Sequence, residues 1–264
     1  MGGKWNLLKH LIPLIPPHRT YVEAFGGGAY LLLNKKPSLV EVYNDIDGEL
    51  VNLFMTVRDS PGPFIRRVAS LPYSRQLYEK YRKQIIHSTL SKDRIERAVR
   101  YYYCIRSAFY GHIEKGWRFA LKTREANRLY NAIGEIEDVA KRLRDVYIDN
   151  VDFRRCLNNW DGENTFFYLD PPYPDATPYR RGLKPFQEAD HEDLAGLLGD
   201  VEGKWLLTYS DTAPIRKLYA QYPMIRIRQA LACYKTVLGE SRPRWAQLII
   251  RNYRLPNESL RREI

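Results

Sequence analysis

The chain has three cysteines in 264 residues and none in a CxxC pair, which excludes a disulfide framework and a thiolate metal centre. Cys104, Cys156 and Cys233 are odd in number and far apart, so they read as core thiols of a protein kept in a reducing compartment. The five histidines, His10, His18, His87, His112 and His191, show no ligand spacing, and no metal is expected. No apolar run approaches the ~20 residues of a membrane span, so no membrane partner is expected. The start, Met1-Gly2-Gly3-Lys4-Trp5, lacks the layout of a signal peptide. Internal repeats and low-complexity tracts are absent. At 44% hydrophobic and 28% charged residues, the composition is that of a globular protein of one large domain or two modest ones.

What the chain has in excess is positive charge, a net +11, and it is unevenly placed. Between Arg58 and Asn150 there are 20 Lys/Arg against 11 Asp/Glu, so one third of the chain carries most of the excess. A localised basic surplus with interleaved aromatics is the footprint of a nucleic-acid binder. The same region changes its periodicity. From Pro61 to about Arg144 strand signals vanish and helical spacing takes over, as in Ile95/Val99/Tyr102/Tyr103. Within it, Tyr101 to Phe119 alternates aromatic and basic residues around Gly111 and Gly116, which suggests a looped element touching phosphates and bases.

Outside this insert, strands and helices alternate. Strands are expected at Tyr21–Phe25, Leu39–Tyr43, Val146–Ile148, Phe166–Leu169, Lys204–Ser210, Ile225–Leu231 and Trp245–Ile250. Helices are expected at 7–15, 47–58, 191–198 and 212–222, the third capped by Asp190. Alternation of this kind predicts an α/β sheet covered on both faces. The first strand runs into Gly26-Gly27-Gly28-Ala29 and a helix start, a layout that lets a nucleotide-like ligand approach the backbone. The dinucleotide fingerprint needs a glycine at position 31, where Leu31 stands, so a nucleoside ligand such as S-adenosylmethionine fits better than a pyrophosphate. Asp45 lies 19 residues after Gly26, close to the spacing of an acid that binds ribose hydroxyls. Asp152 and Phe153, after the third strand, are candidates to accept from an adenine amine and to flank its ring.

The sharpest local signal is Thr165 to Tyr173. The run Phe166–Leu169 is apolar throughout, as in a strand buried on both faces of a parallel sheet. Pro171 and Pro172 cannot donate ladder hydrogen bonds, so the strand stops there and presents Asp170 and Tyr173 at its carboxyl end. A carboxylate and rigid backbone carbonyls beside an aromatic face suit an exocyclic amine on a planar ring. Accepting both amine hydrogens turns the nitrogen towards sp³ geometry and frees its lone pair for attack.

Taken together, these segments resemble the Dam-like family of DNA adenine-N6 methyltransferases, D12 class, alpha group, over nearly the whole chain. The matching motifs are Gly2-Gly3-Lys4, Phe25-Gly26-Gly27-Gly28, Asn44-Asp45-Ile46 and Asp170-Pro171-Pro172-Tyr173, in that order. The resemblance implies a Rossmann-like methyltransferase sheet of seven strands with helices on both faces, formed by residues 1–58 and 145–264. It implies a mainly helical target-recognition insert at 59–144. Gly3, Lys4, Trp5, Phe25, Gly26, Gly27, Gly28, Asp45, Ile46, Asp152, Phe153 and Asp170 would then hold S-adenosylmethionine. Asp170, Pro171, Pro172 and Tyr173 would hold a flipped adenine, and Arg106, Ser107, Tyr110, Lys115, Arg118, Lys122 and Arg124 would contact DNA. The partner implied is double-stranded DNA, met by a monomer, with a cognate restriction endonuclease as a candidate partner. The location implied is cytoplasmic, nucleoid-associated, in a prokaryote or encoded by a phage. Gln247 departs from the family, where many relatives have an acid, and bears on local packing. Two alternatives stay open on the residues alone: methylation of RNA adenine, and a non-catalytic DNA-binding protein that keeps the fold.

Overall fold

The computed structural model describes residues 7–174, 184–230 and 244–255. Helix α1 (Leu8–Leu11) and a 3-10 turn at Ile12–Leu14 replace the single helix expected at 7–15, because Pro13 enters the second turn without a donor. Strand β1 (Thr20–Glu23) leads into α2 (Tyr30–Asn34), and β2 (Val40–Asn44) into α3 (Gly48–Asp59). Then come α4 (Pro61–Ala69), α5 (Arg75–Ile86), α6 (Arg94–Ser107), α7 (Glu125–Ile133) and α8 (Ile136–Leu143). Alternation resumes with β3 (Val146–Asp149), α9 (Phe153–Trp160), β4 (Thr165–Leu169), α10 (Glu188–Asp200), β5 (Lys204–Ser210), α11 (Ala213–Leu218), β6 (Met224–Ala230) and β7 (Arg244–Arg251).

Among the described residues the strands form one seven-stranded sheet in the order β3-β2-β1-β4-β5-β7-β6. Strand β1 runs parallel to β2 and β4, and β4 parallel to β5. Strand β7 is antiparallel to both β5 and β6. A mixed sheet of seven strands with helices is what the family resemblance implies. All five residues of β4 are buried, as its unbroken apolar run requires of a strand paired on both sides. No helix among the described residues is long and apolar enough to cross a membrane.

Backbone contacts divide the described chain into two units, 44–151 with 184–185, and 7–43 with 152–174, 186–230 and 244–255. In the first, α6 is the central helix and packs on α3, α4, α5 and α7. Its buried residues are Ala98, Val99, Tyr101, Tyr103, Cys104 and Ser107. The Asp93 carboxylate caps it, accepting the Ile95 and Glu96 N–H groups at 2.9 and 3.3 Å. All five helices α4 to α8 belong to this unit.

In the second unit the core is aromatic. Phe166, Phe167, Trp205, Tyr209 and Tyr219 are fully buried, with Leu206, Leu207, Leu248 and Ile249 around them. Two local expectations change. Asp190 is the third residue of α10 and not its cap. Gln187 caps the helix, and the two side chains close a capping box, with the Asp190 carboxylate taking the Gln187 N–H at 2.8 Å. Helix α11 is shorter than 212–222, because Tyr219 and Tyr222 turn inward on the Trp205 ring, at centroid distances of 6.3 and 4.7 Å.

Candidate active site

Asp170 follows the last residue of β4, and the parallel register that sets Leu169 opposite Leu207 brings Thr208 alongside it. The Thr208 hydroxyl donates to Asp170 Oδ1 at 2.7 Å, and the Tyr173 hydroxyl donates to the same oxygen at 3.4 Å. Tyr168, one strand position before Leu169, reaches Thr208 Oγ1 at 3.4 Å. Gln247 on β7 donates Nε2–H to the Tyr173 hydroxyl at 2.8 Å. The Tyr173 ring lies against Tyr209, with centroids 5.8 Å apart. The Tyr209 hydroxyl is hydrogen-bonded to Nδ1 of His191, and Phe186 meets the His191 ring edge-on at 4.7 Å. Burial pushes the Tyr209 phenol well up and the His191 imidazole down, so both are neutral at physiological pH. The four residues of the motif are therefore gathered, with Pro171 buried and the other three half-buried.

The glycine turn is built at the end of β1 in the same unit. Gly27 and Ala29 both sit in the left-handed region, at φ 48° and 52°. A Cβ on Gly26 would lie 2.2 Å from the Tyr43 ring, whose hydroxyl donates to the Gly27 carbonyl at 2.9 Å. Around Gly27, by contrast, an added Cβ would meet nothing within 4 Å. The turn is clamped from beneath by Glu23, which is 1% exposed. Its Oε1 accepts the Tyr21 hydroxyl at 2.7 Å and the Leu32 N–H at 2.6 Å, tying β1 to α2. Burial raises the Glu23 carboxyl to about 7, against the pull of its two donors and of Lys35.

Phe25 and Phe153 come together, with ring centroids 5.3 Å apart, and Phe186 closes on both at 5.7 and 5.5 Å. The Arg154 guanidinium lies 4.3 Å over Phe153 and is paired with Asp152, Asp190 and Asp193. Asp152 is thus engaged twice, since its carboxylate also caps α9 by taking the Arg154 N–H at 2.9 Å.

In the helix-rich unit, Asp45 Oδ1 accepts the Asp47 N–H at 2.8 Å, and the Asp45 carbonyl accepts Asn150 Nδ2 at 2.7 Å. Ile46 beside it is 58% exposed, an apolar side chain held out at the end of β2. Gly3, Lys4 and Trp5 lie outside the described residues. Of the residues expected at DNA, Lys115, Lys122, Arg124 and Tyr110 are exposed and Arg106 is half-buried, whereas Ser107 is fully buried on α6. Arg118 is engaged by the flanking helices: Nε pairs with Glu125 of α7 at 2.9 Å and Nη2 donates to the Arg106 carbonyl of α6 at 3.2 Å. The loop between these helices is closed by a bridge between Ala108 and Trp117, with Gly111 and Gly116 at positive φ of 74° and 92°. Trp117, Phe119, Tyr73 and Arg124 help to line an open cleft of about 350 Å³, and the Arg75 guanidinium lies 5.0 and 5.3 Å over the Trp117 and Phe119 rings.

A family model described as D12 class N6 adenine-specific DNA methyltransferase matches residues 1–232. The chain belongs to that family. Several methyltransferases resemble it at low identity. It is 26% identical over 232 residues to the type II methyltransferase M.CviBI of Paramecium bursaria Chlorella virus NC1A, covering 84% of this chain and 85% of that one. It is 24% identical over 269 residues to M1.LlaDCHI of Lactococcus lactis subsp. cremoris, covering 96% and 93%. Against the modification methylase StsI of Streptococcus sanguinis it is 23% identical over 216 residues, 76% of this chain and 32% of that protein. The candidate site of this D12 methyltransferase includes Thr208, His191 and Phe186, which the sequence did not single out, and Gln247, which stood there only as a departure from the family that bears on packing. With Tyr209 they come from β5, β7 and the start of α10. The one signal for Thr208 was its place in the strand expected to pair with the Asp170 strand.

Proposed function

We propose that this D12 enzyme transfers a methyl group from S-adenosylmethionine to the N6 amine of an adenine flipped out of duplex DNA, with Asp170–Tyr173 as the amine site. The observation that carries the reading is the Asp170 carboxylate, oriented at the end of β4 by two hydroxyls on one oxygen. S-adenosylmethionine, when bound, supplies the methyl group on a sulfonium. The residues present fit such a nucleoside: the Gly27 backbone is approachable, and Phe25, Phe153 and Phe186 form an aromatic wall in the same unit. Because Phe25 and Phe153 touch each other, they serve as one wall and do not sandwich a ring. Asp170 and the Pro171 carbonyl accept the two amine hydrogens, and Tyr173 stacks on the base. The positive charge that develops on N6 is met by the Asp170 carboxylate, so the residues act by positioning and electrostatics.

The helical segment 59–144 serves as the target-recognition domain in this reading, and the catalytic domain comprises 1–58 and 145–264. The aromatic cleft supports it, since exposed Phe119 and the guanidinium groups of Arg75 and Arg124 suit a stacked base and its phosphates. The enzyme works as a monomer on DNA, and the type II names of its relatives favour a place in restriction-modification beside a cognate endonuclease. The test is transfer of labelled methyl from S-adenosylmethionine to unmethylated duplex DNA, single strands and RNA, with nucleoside analysis of the product. N6-methyladenine in duplex DNA, lost in Asp170→Ala with cofactor affinity retained, is the expected result. Wild-type turnover by Asp170→Ala overturns the assignment of the amine site.

A further inference from the structure

Gln247 sits on β7, whose antiparallel register places it opposite Ser210 at the end of β5, and only 3% of its surface is exposed. Donor and acceptor roles in this corner run one way. The Tyr173 hydroxyl has a single proton and donates it to Asp170 Oδ1. Its oxygen must then be approached by a donor, and the Gln247 amide supplies one at 2.8 Å. The other end of that amide, Oε1, is buried without a hydrogen-bond partner among the described residues. A buried, half-satisfied amide weakens a fold, and a methionine of similar shape would suit the apolar strand better. Gln247 thus bears a stability penalty at a position that donates to the hydroxyl of the motif tyrosine.

We propose that Gln247 is a positioning residue for methyl transfer: its Nε2–H fixes the rotation of the Tyr173 ring and commits the Tyr173 proton to Asp170. The inference rests on the reading of Asp170–Tyr173 as the amine site. Gln247 touches no substrate atom in this role and acts through Tyr173. Its effect therefore appears in turnover and vanishes once the tyrosine hydroxyl is gone.

A double-mutant cycle on the full chain tests this, using Gln247→Met, Tyr173→Phe and the pair, with thermal melts and cofactor titration as controls. Both single variants are expected to lower kcat about ten- to a hundredfold, with KM for DNA and cofactor affinity near wild type. The double variant is expected to be no slower than either single one, and Gln247→Met to melt at or above the wild-type temperature. Multiplying effects of the two substitutions, or wild-type kcat in Gln247→Met, overturn the inference. Asp170→Ala in parallel separates the two levels. If it is inactive while Gln247→Met turns over normally, only the inference fails. If Asp170→Ala turns over normally, the amine site itself is wrong.

Discussion

Replacing Glu23 by glutamine should make this enzyme more stable at alkaline pH and leave it unchanged in acid. Both donors to the side chain, the Tyr21 hydroxyl and the Leu32 N–H, reach the same oxygen, Oε1. A protonated carboxyl can keep both bonds, and a glutamine carbonyl can do the same with nearly identical shape. What glutamine removes is ionisation. The folded carboxyl sits at about 7 against 4.5 when unperturbed, so folding favours the neutral form. Its stabilisation is complete below the unfolded value and is lost as pH rises towards the folded one. One pKa unit is worth about 1.4 kcal/mol, so the rise from 4.5 to about 7 makes ionised Glu23 cost roughly 3 kcal/mol at pH 8. Urea denaturation of wild type and Glu23→Gln at pH 4 and pH 8 reads this directly, because the other titrating groups cancel in the difference. The variant should match wild type at pH 4 and exceed it by up to roughly 3 kcal/mol at pH 8. An equal difference at the two pH values would refute the reasoning.

The two glycines of the turn should respond differently to alanine. Gly26→Ala drives a methyl into the Tyr43 ring, costing about 1–3 kcal/mol of stability and loosening the Gly27 carbonyl that Tyr43 holds, so calorimetric cofactor binding should fall with it. Gly27→Ala meets no neighbour and should cost only the left-handed backbone penalty, about 1–2 kcal/mol in the melt. On the helical unit, Lys122→Ala and Arg124→Ala should each reduce the slope of log affinity against log salt by about one, whereas Arg118→Ala should leave the slope and lower the melting temperature. A slope that falls with Arg118→Ala would return that residue to the phosphate contacts. Phe119→Ala should weaken DNA binding by about 1–3 kcal/mol without steepening the salt dependence, and unchanged affinity would remove the cleft from the DNA surface.

Much of this molecule was legible before folding because the deciding forces are local. Two prolines end β4 for want of a donor, whatever surrounds them, and an unbroken apolar run calls for a strand paired on both sides. Glycine at 26 and 27 marks a turn because a side chain at 26 would collide with Tyr43 and one at 27 would bear the left-handed backbone penalty. The change to helical spacing after Pro61 announced α4 to α8 for the same reason, as periodicity is a property of one segment at a time. Pairing is not. Asp152 and Asp190 lie far apart in sequence, and only the fold shows them sharing the Arg154 guanidinium while Asp152 caps α9 and Asp190 closes a capping box with Gln187. Nothing in the sequence around Arg118 shows that Glu125 pairs with it. Asp170 depends on Thr208, 38 residues on, and Tyr173 on Gln247, 74 residues on. The sequence by itself determined which chemical groups stand at the end of β4 and in the glycine turn. Tertiary structure alone decided their partners, because a hydrogen bond acts over about 3 Å and only strand register brings such distant residues that close.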